Sequence, residues 1–157
     1  MASNLFELDT YLIRRKVLKI FGGSFHTYDG EQVVAFTKQK AFKLKEDIRI
    51  YSDESMQTEL LSIQARQVID FAAAYDIVDV EKGVKVGAAR RKGFSSVVRD
   101  SWILLDAQDE TKPVVFRQHF NPFVYRLQVS IPREIGLDRR LIFGIAALIA
   151  AIEGRQK

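Results

Sequence analysis

The chain has 157 residues, of which 47% are hydrophobic and 28% charged, and a formal net charge of +4. That balance fits one globular domain with a substantial core, and excludes both a disordered tail and a multi-span membrane protein. The absence of cysteine excludes disulfides, thiolate metal sites, a cysteine nucleophile and palmitoylation, and points to a reducing, cytoplasmic setting.

The opening residues, Met1-Ala-Ser-Asn-Leu-Phe-Glu-Leu-Asp-Thr10, are acidic and carry no long apolar stretch, so no signal peptide is expected, and Ala2 excludes N-myristoylation. Strands are expected within residues 11–131, where alternation dominates. Phe42-Lys-Leu44-Lys, Leu61-Ser-Ile63-Gln-Ala65, Tyr75-Asp-Ile77-Val-Asp79 and Val84-Lys-Val86-Gly-Ala88 place every second residue on an apolar face. Phe123-Val-Tyr125-Arg-Leu127-Gln-Val129-Ser-Ile131 does so most clearly. Val68-Ile-Asp-Phe-Ala-Ala-Ala74 is read as strand rather than as a helical turn. Turn residues at Asp29-Gly30, Ser52-Asp-Glu-Ser55, Glu81-Lys-Gly83 and Asp106-Ala-Gln-Asp109 separate about a dozen strands. A faint repeat, in which a strand ends in an aspartate at positions 29, 53, 79 and 106, has a period that holds two strands and their turns. It argues for a meander of hairpins rather than alternating β and α units.

The last strand leads into Leu141-Ile-Phe-Gly-Ile-Ala-Ala-Leu-Ile-Ala-Ala-Ile152, an apolar run predicted as a helix over about 138–153, with Asp138 as N-cap and Gly154 just past its end. A helix apolar on every side must be wrapped by protein or lipid. Its apolar part is about 18 Å long, against about 30 Å for a bilayer core, so it is a core helix and no transmembrane segment is expected. The small residues Gly144, Ala147 and Ala151 would let strands approach it closely.

Little of the sequence points to catalysis. His26 and His119 lie in separate strand patterns beside phenylalanine and form no metal-binding spacing. Ser95, Ser96 and Ser101 lack a nucleophile elbow, and Gly22-Gly23-Ser24 lacks the lysine and the following helix of a phosphate loop. Asp79 is placed on the face of Ile77, with Asp76 on the opposite face. No cofactor or metal is expected. What remains are basic clusters: Arg14-Arg-Lys16 with Lys19, Lys38 with Lys40, Lys43 and Lys45, Arg90-Arg91-Lys92, and Arg139-Arg140. Lysine and arginine at strand edges often serve only to block edge pairing. Arg139 and Arg140 stand out, because they fall in the first turn of the helix, where the dipole disfavours cations. Glu134 and Asp138 are the carboxylates nearest in sequence to offset them, and the alternative is a phosphate or lipid head group.

The chain resembles the Tubby C-terminal-like superfamily, in particular its bacterial phospholipid scramblase-related and LURP-one-related proteins. The resemblance runs through Tyr11-Leu-Ile-Arg-Arg-Lys16, Tyr28-Asp-Gly30, Phe36-Thr-Lys-Gln-Lys-Ala-Phe-Lys-Leu44, Ile48-Arg-Ile-Tyr51, Leu61-Ser-Ile-Gln-Ala-Arg66, Tyr75-Asp-Ile77, Val86-Gly87 with Arg90-Arg-Lys92, Asp100-Ser-Trp102, and Leu137-Asp-Arg-Arg140 with the apolar helix. It implies a single domain over 1–157: a closed or nearly closed antiparallel β-barrel of about twelve strands around the buried C-terminal helix, without an established enzymatic activity. The stretch between Trp102 and Thr111 is short for the family, as if a strand pair were missing. The segment before the helix holds only Glu134 and Asp138, too few carboxylates for a calcium cage.

The expected function is therefore a non-catalytic module that attaches reversibly to anionic, phosphoinositide-like phospholipid surfaces. Its candidate contacts are Arg139, Arg140, Arg90, Arg91, Lys92, Lys43 and Lys45, which would make it peripheral at a membrane. A protein-interaction domain without a lipid role is the alternative. Single-stranded nucleic-acid binding ranks last, because alternation places most aromatics on apolar faces.

Overall fold

The computed structural model describes residues 2–16, 23–40, 47–66, 74–92, 101–112, 117–119, 124–132 and 136–153. A short 3-10 helix, Ala2–Glu7, precedes β1 (Thr10–Lys16), β2 (Ser24–Asp29), β3 (Gln32–Gln39), β4 (Asp47–Tyr51), β5 (Glu59–Ala65), β6 (Ala74–Asp79), β7 (Val84–Lys92), β8 (Ser101–Leu105), β9 (Thr111–Lys112), β10 (Arg117–His119) and β11 (Val124–Ser130). The helix α1 (Arg139–Glu153) ends the described chain. The strands form one 11-stranded sheet in the order β10-β11-β1-β2-β3-β4-β5-β6-β7-β8-β9. Every pairing is antiparallel, and the first long strand is hydrogen-bonded to the last along its whole length, from Thr10 opposite Ser130 to Lys16 opposite Val124.

The aspartate period has a direct structural meaning. Asp29 and Asp79 close β2 and β6, and Asp53 and Asp106 follow just after β4 and β8, so in a meander all four lie at one end of the sheet. The helix starts there too, since Arg140 reaches Asp79. It finishes at the other end, where the backbone of Ala151 meets Arg15 near the end of β1. These ends are called the lower and the upper rim.

The edge strands β9 and β10 are separated by residues 113–116. From Lys112 to Arg117 the chain reaches at most about 18 Å, whereas the strands laid flat at about 4.8 Å spacing would hold the edges about 48 Å apart. The sheet must therefore curl strongly. It curls around α1, which packs against β1, β4, β5, β6, β7, β11 and the N-terminal 3-10 helix. All side chains over 141–152 are buried, as an apolar helix without a polar face requires. The ring of Phe143 meets Tyr11 at 5.1 Å and Phe6 at 6.0 Å. Close approach rests on two glycines. A Cβ on Gly144 would stand 2.7 Å from Ile77 Cγ2, and one on Gly87 would stand 2.5 Å from both the Leu141 side chain and the Leu105 carbonyl oxygen.

The structure departs from the sequence reading in β7. Alternation places Val84, Val86 and Ala88 on one inner face, but the register shifts between Ile77 and Val78, so Gly87 and Ala89 stand opposite the inward Ile77 and Tyr75. Val86 is buried at this irregularity and Val84 is left 45% exposed. The extra residue of a bulge inverts the face assignment on one side of it. The expected strand around Phe42 and residues 68–73 lie outside the described residues.

Candidate functional site

Arg139 and Arg140 enter α1 behind an N-cap. The Asp138 carboxylate accepts the backbone N–H of Arg140 at 2.9 Å, and its carbonyl accepts those of Leu141 and Ile142. The Arg140 side chain turns back onto Asp138 at 3.0 Å and also donates to Asp79 at 2.6 Å. Arg139 donates to Asp9 at 2.6 Å and to the Leu8 carbonyl at 2.7 Å. Burial works against the charges of Asp79 and Asp138. The Lys82 N–H and Arg140 for Asp79, and the Arg140 side chain and N–H for Asp138, outweigh it and hold both carboxyls below the usual range. The unfavourable placement of two cations at a helix start is thus compensated inside the protein. Of the two carboxylates named from the sequence, Asp138 takes part and Glu134 lies outside the described residues. Asp9 and Asp79 supply the rest through contacts that no local pattern reveals.

The upper rim carries a second group of cations. Arg15 points inward, only 2% exposed. Its guanidinium donates to the carbonyls of Ala151 at 2.6 Å and Ala150 at 3.3 Å, satisfying the helix C-terminus where the dipole favours a cation. Gly23 makes room for it, because a Cβ there would stand 2.4 Å from an Arg15 nitrogen. Arg14, its neighbour on the outer face, stands directly opposite Arg126 of β11, and both are exposed. The Arg14 guanidinium lies over the Tyr28 ring at 5.0 Å. Like charges directly opposite in a sheet repel. Lys38 and Lys40 at the end of β3 and Arg90 toward the end of β7 are also exposed, with Lys40 3.8 Å from the buried Asp47. Arg91 and Lys92 extend β7 toward the same rim. Lys43 and Lys45 belong to the segment joining β3 to β4 and lie outside the described residues. The seven candidates are therefore split: Arg139 and Arg140 sit at the lower rim in ion pairs, while Arg90 lies toward the upper one.

The turns of the lower rim are predominantly acidic, carrying Asp29 and Glu31, Asp53 and Glu54, Glu81, and Asp106, Asp109 and Glu110, with Lys82 as their exposed cation. His26, outward on β2, lies 5.3 Å from the Phe36 ring and is paired with Glu54 from this rim. His119 is in β10. On the outer wall Asp76 pairs with Arg66 at 2.7 Å and Lys85 at 3.3 Å. Among the described residues no group of His, Cys, Asp or Glu could hold a metal ion, and no helix is long and apolar enough to cross a membrane.

Inside, Thr27 and Thr37 are fully buried, and their hydroxyls have no hydrogen-bond partner. Zero exposure means that no water-sized space touches either side chain, so the inner wall of β2 and β3 is packed rather than cavity-lining at these positions. No family model, curated protein or solved structure matches the chain.

Proposed function

We propose that this chain is a non-catalytic binding domain that attaches reversibly to anionic phospholipid surfaces through its upper rim. The contacts are Arg14, Lys38, Arg90 and Arg126, not the pair at the helix start. The observation that carries this reading is the uneven division of charge between the two rims: among the described residues the exposed cations other than Lys82 lie away from the lower rim, and the carboxylate-bearing turns gather there. Each Lys or Arg near an anionic bilayer contributes about 1 kcal/mol, so four give a gross attraction of about 4 kcal/mol, suited to reversible attachment. Arg14 and Arg126 support the reading most directly, since an anion bridging them would relieve their repulsion. The same reading takes the chain as a Tubby C-terminal-like domain in which β9 and β10 close the curled sheet around the apolar helix. Nucleic-acid stacking is less favoured, because Phe36, in register with His26 and Tyr51 beside Arg14, is only 9% exposed.

Cosedimentation with phosphatidylserine and phosphatidylcholine vesicles tests the proposal. Binding to the anionic vesicles is expected to vanish between about 0.1 and about 1 M salt, as the Debye length falls from about 10 to about 3 Å. The combined substitution Arg14→Gln, Lys38→Gln, Arg90→Gln and Arg126→Gln should abolish it at low salt. Equal, salt-insensitive binding to both vesicle types would sink the idea. So would loss of binding in a folded Arg139→Gln variant while the upper-rim variant still binds.

A further inference from the structure

The lower rim carries a second feature that lipid attachment does not use. The exposed large hydrophobics among the described residues are Val33, Met56, Val80 and Val84, at 44%, 39%, 38% and 45% exposure. All four stand at this end: Val33 at the start of β3, Met56 between β4 and β5, Val80 and Val84 at the two sides of the β6–β7 turn. Isolated exposed hydrophobics are ordinary on a protein surface. Here they are gathered on three successive hairpin tips, and the same tips bear five carboxylates, Asp29, Glu31, Asp53, Glu54 and Glu81, against one exposed cation, Lys82. The tips are also held in shape. Asp53 accepts the Ser55 N–H at 2.8 Å, Ser52 N–H donates to the Thr58 carbonyl at 3.0 Å, and Glu54 is tied to His26. Met56 is held with φ 57°, a conformation that side chains other than glycine adopt only at a cost.

We infer that the lower rim is a docking surface for a cationic amphipathic helix of a partner protein. Two features of the rim select that occupant. Its charge complements lysine and arginine, and its apolar side chains require apolar anchors between them. Neighbouring tips are two strand spacings apart along the curl, at most about 10 Å in a straight line, and apolar residues one heptad apart on a helix lie at about that interval, so a helix engages two neighbouring tips at a time. A basic helix of this kind places its anchors on consecutive tips and its cations against the carboxylates beside them. The rim faces away from the end assigned to the membrane, so both contacts can be made at once, and this inference stands on its own residues whether or not vesicles bind.

The test uses the full chain and a fluorescein-labelled helical peptide of about 20 residues, about 30 Å long, built from alternating pairs of leucine and lysine. A second peptide has every leucine replaced by glutamine. Anisotropy titration is expected to show binding of the leucine peptide and at least about tenfold weaker binding of the glutamine peptide. The combined variant Val33→Ser, Met56→Gly, Val80→Ser and Val84→Ser should lose at least about tenfold for the leucine peptide, and so should Glu31→Lys with Glu81→Lys. Each substitution is at an exposed position, and unchanged thermal melting of the variants serves as the folding check. Equal affinity for both peptides, or full affinity in the apolar variant, would overturn the inference in favour of unspecific charge attraction. Concentration-dependent dimerisation of the wild type that the apolar variant abolishes would overturn it in favour of a second copy of this chain.

Discussion

Arg15 and Arg140 stand at opposite ends of one helix and compensate opposite electrostatic demands. Arg15 is buried against the carbonyls of Ala150 and Ala151. Substitution Arg15→Met keeps its apolar stem but strands those acceptors, and should lower unfolding free energy by about 2 to 3 kcal/mol in urea titration. Arg140 is partly exposed and serves Asp79 and Asp138. Both carboxyls are held below their usual range, so the stability they contribute is fully present above the ordinary carboxylate value. It is lost as pH falls through their lowered ones. The urea midpoint should therefore be flat from neutrality to about pH 5 and fall below about pH 4, and Arg140→Gln should make this acid fall shallower. Thr27 and Thr37 act in the other direction. Each buries a hydroxyl without a partner, so Thr37→Val should be neutral or stabilise by about 1 kcal/mol in the same titration. A gain or loss beyond that range would show that the hydroxyl is engaged.

At the scale of elements, the helix and β6 meet through Gly144 and Ile77. Alanine improves helix propensity by about 1 kcal/mol over glycine, but the added methyl would overlap Ile77, and overpacking costs about 1 to 3 kcal/mol. Gly144→Ala should therefore lower the melting temperature, and Gly144→Ala with Ile77→Val should recover most of the loss. The run 141–152 was legible as a core helix because its length, its N-cap and its lack of a polar face agree. The strands β6 and β11 were legible because their described residues alternate between buried and more exposed, whereas in β5 the alternation is only in polarity, since Leu60 and Ser62 on its outer face are buried as well. The inner face of β7 was not, since a bulge is a choice of pairing register and leaves no mark on alternation.

For the whole molecule, wrapping the helix makes its stability that of the entire sheet. Amide exchange over 141–152 should proceed with the same free energy as global unfolding measured with denaturant, while the hairpin tips exchange far sooner. A chain ending at Ser130 should lose cooperative melting, because nothing else would cover the inner face. A net charge of +4 says little by itself about partners. Its uneven division between the two rims among the described residues says more, and that division is a product of topology. Antiparallel order sends every second connection to the same end, so acidic turns spaced along the chain become one surface and basic strand ends become another.

The sequence by itself determined the class of elements, the four aspartate turns, the buried helix with its cap, and the opposite faces of Asp76 and Asp79. All of these depend on neighbours within a few residues, where periodicity and turn chemistry act. Only the tertiary structure decided that Arg15 caps the helix, that Asp9 and Asp79 hold Arg139 and Arg140, and that Arg14 confronts Arg126. Each joins residues from distant parts of the chain, through the pairing of β1 with β11 and the position of the helix inside the curled sheet. A local pattern fixes which face a side chain takes, whereas its partner is fixed by register and by the curl of the sheet, which the whole chain settles at once.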